Sequence, residues 1–262
     1  MSKIGVLIVG HEVTSPLLPE WARYIRRKSD ARLNHDMNSQ DVFTSTGLAW
    51  SEYAAWFENS KILDECEVKG LAHYRCVLNL YKFNLGYLPV FARYIFLKIQ
   101  AHKYKKISNV LIVGVPNKTK YSVLDQFSSS HPESIEILME ACKIYDELIG
   151  IGSKQSILRL EEMVEYFPRS IFLTDSNFYS DWLRYSYEIA RELDKCILNF
   201  PNNRWGGFVL ERIFTLFVLD YSRSSNLKII EAEQVYFLTN SEWMKRILLK
   251  VKFIKKLSQN KN

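Results

Sequence analysis

The chain contains few of the residues that interrupt folded structure. Its 262 residues include 10 glycines and 7 prolines, and no low-complexity tract or repeat stands out. This composition argues against a flexible array of small modules, and a hydrophobic content of 47% is enough to bury a sizeable core. The four cysteines, Cys66, Cys76, Cys142 and Cys196, lack CxxC or CxH spacing. They therefore favour small apolar residues in a reducing compartment over a disulfide framework or a zinc site.

Long apolar runs are also missing. No stretch reaches the roughly 18 to 20 apolar residues that a transmembrane helix needs. The opening stretch, MSKIGVLIVGHEV, lacks the longer apolar core and the cleavage site of a signal peptide. The sequence therefore predicts a cytoplasmic protein.

Positive charge exceeds negative charge and is concentrated near the C-terminus. The chain has 35 Lys and Arg against 29 Asp and Glu, a net charge of +6, and residues 245–262 carry seven of these bases and no acid. Apolar and basic residues alternate there as on an amphipathic helix that lies in a membrane interface, where anionic lipid contributes about 1 kcal/mol per basic residue. The predicted membrane contacts are Trp243, Lys245, Arg246, Lys250, Phe253, Lys255 and Lys256. The alternative is a C-terminal helix that packs on the domain with a solvated basic face.

Alternating strand and helix patterns predict one α/β domain over residues 1–240, followed by the basic tail 241–262. Strands are expected at 4–10, 68–75, 109–114 and near 167–178, with a final pair of short strands in 227–239. Helices are expected at 45–60, 87–102, 133–149, 178–197 and 208–219, whereas 17–28 is expected to be a charged connecting segment. The order strand, helix, strand favours a mixed, mostly parallel sheet flanked by helices.

Polar residues interrupt the second of these strands. His73, Tyr74 and Arg75 follow the apolar Gly70, Leu71 and Ala72 without a break. Burying an imidazole and a guanidinium without partners costs several kcal/mol each, roughly, so these side chains are expected to face a ligand. His11 directly follows the first strand, and ligands of open α/β sheets bind beyond the carboxyl ends of the strands. The alternative for His73 and Arg75 is an ion-paired strand terminus.

Several fragments, in this order, resemble a bacterial family of capsular and exopolysaccharide biosynthesis proteins that is regarded as GT-A-like glycosyltransferases. VLIVGHE (6–12) is similar to the strand that opens the family, and STGLAWSEYAAW (45–56) is similar to its following helix. GLAHYR (70–75) matches GLxHYRR, QFSSSH (126–131) has the spacing of QYxxxH, SIFLT (170–174) takes the place of NMFIM, and RWGGFVLERI (204–213) matches RxxGFxxERL. The resemblance spans residues 4–219. The chain departs from the family pattern at Cys76, Phe127 and Ser170.

The resemblance implies a GT-A-like, Rossmann-type fold and transfer of a sugar from a nucleotide-sugar donor, with UDP-hexose expected. The acceptor would be a lipid-linked glycan or oligosaccharide in the synthesis of capsule, exopolysaccharide or O-antigen. The residues implied in donor binding are His11, His73, Tyr74, Arg75, Gln126, Gly207 and Arg212. Glu211 and His131 are the candidate catalytic residues.

The leaving nucleoside diphosphate needs positive charge, from a divalent metal or from Arg, Lys and His. GT-A enzymes carry an Asp-x-Asp metal motif near the end of a central strand, and this sequence has no such triplet there. His73 and Arg75 are therefore expected to supply the positive charge. A Mn²⁺ or Mg²⁺ site that includes His131 and a carboxylate is the alternative. Glu211 fits a general base or a residue that orients a donor hydroxyl. Its alternative is an internal ion pair with Arg212.

Gln126 and His131 are expected to bracket a serine-rich loop that closes over the sugar, the alternative being an ordinary loop with a helix cap near His131.

Two other classes of protein remain. The departures from the family pattern keep open a non-catalytic member that binds a glycan or a partner. Charge and the 36 aromatic residues (15 Tyr, 15 Phe and 6 Trp) suggest a nucleic-acid-binding protein, but the chain has no RNP-type strand, helix-turn-helix signal or zinc spacing. We therefore expect no nucleic-acid partner.

Overall fold

The computed structural model describes residues 4–10, 21–26, 50, 52–73, 76–81, 88, 92, 95–100, 109–152, 154–175, 177–196 and 205–236. The strands are β1 (Ile4–Gly10), β2 (Ala22–Arg26), β3 (Val68–His73), β4 (Cys76–Asn79), β5 (Val110–Gly114), β6 (Asn117–Lys118), β7 (Glu165–Tyr166), β8 (Phe172–Thr174) and β9 (Lys228–Tyr236). The helices are α1 (Glu52–Glu58), α2 (95–100), α3 (Val123–Ser130), α4 (Ile135–Ile149), α5 (Gln155–Glu162), α6 (Phe178–Cys196) and α7 (Trp205–Ser225). Short 3-10 turns occupy Ser60–Leu63, Pro132–Ser134 and Pro168–Ser170.

Seven of these strands form one mixed sheet, which confirms the predicted α/β class. β1 pairs in parallel with β2 and β3, and β5 pairs in parallel with β9. The other two strands, β4 and β8, run in the opposite direction and pair antiparallel with their neighbours. Five of the seven strands therefore share one direction, and their carboxyl ends lie at the same edge of the sheet.

The sheet also closes on itself. β8 is three residues long and pairs with residues 69–71 of β3, which leaves the end of β3 available to another strand. That end pairs with β4 through His73 and Cys76. Strands β3, β4, β9, β5 and β8 consequently form a closed ring, a feature that no sequence pattern had predicted.

Apolar side chains of the strands alternate between two cores, as expected for a sheet covered on both faces. Along β1, Leu7 and Val9 belong to the larger core, and Val6 and Ile8 belong to the smaller one. The larger core contains the buried faces of α1, α3, α4, α6 and α7. The long helix α7 lies deepest, with Phe214 stacked on Phe172 of β8 at a centroid distance of 5.7 Å.

Three predicted elements need correction. The charged segment 17–28 contains β2, which pairs with β1 from Val6 to Gly10. The expected pair of strands in 227–239 is one nine-residue strand, β9, because β4 and β5 pair with it along its two edges. The serine-rich segment before His131 is helix α3, not a loop. The Ser122 side chain accepts the N–H of Asp125 as an N-cap, and Phe127 is buried.

The strands predicted at 4–10, 68–75 and 109–114 and the helices predicted at 133–149 and 178–197 occur within two residues of their expected bounds, and β8 lies within 167–178. The helix expected at 208–219 is longer, whereas α1 and α2 lie inside the ranges 45–60 and 87–102, parts of which are outside the described residues. Strands β4, β6 and β7 and helix α5 were missed. The whole tail 241–262 lies outside the described residues. Within the described part of the chain, no helix is long and apolar enough to cross a membrane. Cys76 and Cys142 are buried in the two cores, as predicted for small apolar residues, whereas Cys66 is half-buried.

Candidate active site

Charged and polar side chains converge at the carboxyl edge of the sheet. His73 ends β3 opposite Val9 of β1, and Gly114 ends β5. Gln234 lies near the end of β9, and a Cβ on Gly114 would come within 2.6 Å of its Nε2 atom. The Cys76 thiol donates to Gln234 Oε1 at 3.5 Å, so the ends of β3, β4, β5 and β9 meet here.

His73 contacts a carboxylate. Its Nε2 atom lies 3.4 Å from Oε1 of Glu52, and both side chains are largely buried. Glu52 is the first residue of α1, where a carboxylate also interacts favourably with the helix dipole. This contact fits the alternative interpretation of His73 as an ion-paired strand terminus, and it adds a carboxylate to the edge that sequence reasoning had missed.

Tyr53, the next residue of α1, connects this pair to the other side of the site. Its hydroxyl group forms a short hydrogen bond with the Ser170 hydroxyl group. Burial raises the pKa of Tyr53 well above its ordinary value, and the negative charges of Glu211 and Glu52 raise it further, against the lowering effect of the Ser170 hydrogen bond. Tyr53 is therefore a neutral hydroxyl between two glutamates.

Glu211 and Arg212 form the most buried charged pair of the site. Arg212 Nη1 donates to Glu211 Oε2 at 2.6 Å, and the two side chains are 2% and 13% exposed. Arg212 Nη2 donates to Oε1 of Gln126 at 2.7 Å. The guanidinium also stacks on Tyr166, 3.8 Å from the ring centroid. This network joins α3, α7 and β7.

The second oxygen of Glu211, Oε1, accepts the backbone N–H of Arg169. Both carboxylate oxygens are therefore engaged, as the ion-pair alternative for this residue predicted. Arg169 Nη1 in turn donates to Oε1 of Gln234 at 2.6 Å. A continuous chain of contacts runs from α3 through Arg212, Glu211 and Arg169 to β9.

His131 lies beside this network. It is the C-cap residue of α3, and its ring stacks on Phe208 with a centroid distance of 4.1 Å and an interplanar angle of 19°. Partial burial and the positive charge of Arg212 lower the pKa of His131, although Glu133 and Glu211 act in the opposite direction. The imidazole is thus neutral at neutral pH and able to accept a proton.

The structure brings five predicted site residues to this edge or to the network that borders it: His73, Gln126, His131, Glu211 and Arg212. Gly207 lies in the first turn of α7, half-buried and with helical backbone rather than the positive φ that the sequence had allowed. His11, Tyr74 and Arg75 and every predicted membrane contact of the tail lie outside the described residues.

Sequence reasoning missed five residues of the site: Glu52, Tyr53, Arg169, Phe208 and Gln234. Tyr53 lies in the helix predicted at 45–60, and Arg169 lies in the strand predicted near 167–178. The signal that could have found Glu52 is its acidic side chain directly before an apolar segment, Tyr53–Phe57, whose first four residues are buried. No local signal marks Gln234, because its role depends on strand pairing.

The described residues offer few metal ligands at the site. Among them, no group of three His, Cys, Asp or Glu side chains could hold an ion, and the Glu52 carboxylate contacts the His73 ring. The described donor set therefore does not fit a divalent metal site.

A separate groove of about 930 Å³ lies at the opposite end of α7 and contains none of the predicted site residues. Its walls include the Arg159–Asp220 ion pair and Tyr221. We place the candidate active site at the carboxyl edge rather than in this groove, because only the former gathers the interrupted apolar patterns of the sequence.

Comparisons with known proteins bear on the fold. No protein-family model matches the sequence. No curated protein matches it either. Among solved structures, the chain is similar to the apo structure of the bifunctional glycosyltransferase WbbM, with a TM-score of 0.70 and 14% sequence identity. The similarity covers 90% of this chain and 45% of the WbbM chain, so this chain spans less than half the length of that neighbour. The chain therefore has a glycosyltransferase-like fold.

Proposed function

We propose that the protein is a glycosyltransferase that uses a nucleotide-sugar donor. The observation that carries the proposal is the coincidence of a glycosyltransferase-like fold over 90% of the chain with a cluster of Arg, His and Glu at the carboxyl edge of its sheet. Ligands bind at the carboxyl ends of the strands both in open α/β sheets and in closed α/β barrels. In this proposal the fold is GT-A-like and Rossmann-type, and the enzyme transfers a hexose from a UDP-hexose donor.

The donor occupies the ends of β1 and β3. His11, Tyr74 and Arg75 follow these strands in the sequence, and His73 ends β3. Arg75 and His73 supply positive charge that stabilises the diphosphate as it leaves, which is the role of a metal ion in other transferases, and Tyr74 stacks on the donor or forms a hydrogen bond with it. Glu52 positions the His73 ring for this contact.

The acceptor hydroxyl attacks the anomeric carbon from the side of α3 and α7. A carbon–oxygen bond forms there while the bond to the diphosphate breaks, and the electron pair of that bond leaves with the nucleoside diphosphate. The proton of the hydroxyl group passes to His131, whose lowered pKa keeps it neutral and available as a general base. Glu211 has a positioning role rather than the role of a base, because Arg212 and the Arg169 N–H already engage its two oxygens. Gln126 on α3 and Gly207 on α7 contact the donor sugar next to the acceptor.

The acceptor in this proposal is a lipid-linked glycan of a bacterial surface polysaccharide. The basic amphipathic segment from Trp243 to Lys256 holds the enzyme at the inner face of the cell membrane, where such an acceptor lies. Lipid attraction of about 1 kcal/mol per basic residue is sufficient for peripheral binding when several residues act together.

The proposal is tested with a panel of nucleotide sugars and nucleoside diphosphates, with and without Mn²⁺. Thermal stabilisation by one donor, with release of its nucleoside diphosphate when acceptor lipid extract is added, supports a transferase. His131→Gln should lower turnover at least tenfold and leave donor binding unchanged. His73→Ala should weaken donor binding, and Lys154→Ala, at the exposed N-cap of α5, is the matched control. Stabilisation without turnover would instead support the non-catalytic glycan- or partner-binding member.

A further inference from the structure

Two consecutive residues at the candidate active site adopt left-handed backbone conformations that non-glycine residues rarely adopt. Arg169 has φ 63° and ψ 8°, and Ser170 has φ 48°. They belong to the 3-10 turn Pro168–Ser170 that leads into β8. Strained non-glycine conformations persist only where surrounding contacts hold them, and they concentrate at ligand-binding sites.

Side chains of two helices hold the turn from two sides. The Glu211 carboxylate on α7 accepts the Arg169 N–H, and the Tyr53 hydroxyl on α1 bonds the fully buried Ser170 hydroxyl. Glu211 is itself fixed by Arg212. Two helices on the same face of the sheet thus fix the backbone of two residues.

The consequence of this conformation is the placement of the Arg169 guanidinium. The side chain is half-buried, and Nη1 reaches Oε1 of Gln234 near the end of β9, beside Gly114 at the end of β5. The other arginine of the described site, Arg212, is 2% exposed and is committed to Glu211 and Gln126. Arg169 is thus more exposed than Arg212, and its guanidinium lies at the carboxyl edge.

We propose that Arg169 binds the diphosphate of the donor and that the strained turn exists to present it. A guanidinium is planar, always charged, and forms paired hydrogen bonds with phosphate oxygens. The identification of the diphosphate as part of a nucleotide sugar rests on the proposed function, whereas a diphosphate site as such does not. Arg169 is thus a cation in addition to those that the sequence predicted at the end of β3, His73 and Arg75.

The experiment distinguishes the effect of the Arg169 guanidinium on ligand binding from the effect of the strained backbone on stability. Arg169→Ala removes the side chain and keeps the strained φ, whereas Arg169→Gly removes both, and the N–H to Glu211 is retained in each. Arg169→Lys keeps a charge without the paired geometry. Lys154 is the matched control, because it has φ 71° at an exposed position away from the site, so Lys154→Ala and Lys154→Gly report strain alone.

Binding of inorganic pyrophosphate and of UDP, GDP, ADP and dTDP is measured by calorimetry at low salt, and melting temperature is measured in parallel. Arg169→Ala and Arg169→Gly should both weaken pyrophosphate binding at least tenfold, with Arg169→Lys in between and both Lys154 variants like wild type. Arg169→Gly should melt at a higher temperature than Arg169→Ala, as Lys154→Gly should relative to Lys154→Ala.

The inference is overturned if the Arg169 variants bind pyrophosphate as tightly as wild type, or if wild type binds neither pyrophosphate nor any of the four nucleotides. Sugar transfer by wild type together with unchanged binding in Arg169→Ala would leave the proposed function standing without this inference. Pyrophosphate binding through Arg169 without turnover of any nucleotide sugar would support the diphosphate site and count against the transferase.

Discussion

Replacing Arg212 by methionine tests whether the buried ion pair holds α7 against α3. The substitution removes the partner of the Glu211 carboxylate, which is 13% exposed, and the stacking on Tyr166. Breaking a buried pair by removing one member costs about 3–5 kcal/mol. Because Glu211 keeps the Arg169 N–H as a donor, we expect the lower end, about 3 kcal/mol. In a domain of this size that lowers the melting temperature by about 6–12 °C.

The assay is equilibrium unfolding in urea, followed by circular dichroism, for Arg212→Met, Glu211→Gln and the double variant. Removing both charges should restore at least half of the lost stability, because no uncompensated charge remains buried. Lys143→Met is the control: Lys143 is exposed and its i,i+3 partner Glu140 is half-buried, and such a surface pair contributes less than about 0.5 kcal/mol. A loss below about 1 kcal/mol in Arg212→Met, or purely additive losses in the double variant, would refute the reasoning.

Three further predictions follow from individual contacts. Gly70→Ala should lower the melting temperature, because the new Cβ would clash with the carbonyl oxygen of Phe172 between β3 and β8; Gly152→Ala, whose Cβ would meet only a side chain at 4.0 Å, should not. The pKa of His131 is lowered by burial and by Arg212, so the unfolded chain takes up this proton first, and stability should fall as pH drops below about 6.5. Unfolding at pH 7.5 and 5.5 should show this difference in wild type and lose it in His131→Gln, and NMR titration should find a higher His131 pKa in Arg212→Met. Truncation to residues 1–240 should abolish co-sedimentation with anionic liposomes, and equal sedimentation of both forms would contradict the membrane assignment.

Local patterns predicted the elements whose burial is decided by their own residues. The continuous apolar run Ile4–Gly10 could only be a buried strand, and the spacing of Leu138, Ala141 and Tyr145 buries one face of α4. The charged strand β2 was missed because its pairing with β1, not its composition, makes it a strand. The division of 227–239 into two strands was wrong for the same reason, since β9 acquires its length from partners about 115 and 155 residues away.

The candidate site was predictable to the extent that a charged residue interrupts an apolar run. His73, Glu211 and Arg212 each do so, and the structure brings them to one edge or its border. Arg169 could not be found in this way, because its role depends on a backbone conformation fixed by Glu211 on a helix 42 residues later. Glu52 depends likewise on how α1 packs beside the end of β3.

The contacts of Glu211 indicate that Glu211 and His131 have different roles in the site. A general base needs an oxygen that a substrate hydroxyl can reach, and the two oxygens of Glu211 are held by Arg212 and by the Arg169 N–H. His131 has the opposite character, since its neutral ring stacks on Phe208 and carries a lowered pKa. Under the transferase proposal, Glu211→Gln should therefore weaken donor binding through the Arg169 turn, whereas His131→Gln should reduce turnover and its pH dependence. Measuring binding and turnover separately in these two variants distinguishes the two roles, and the reverse pattern would return the general base to Glu211.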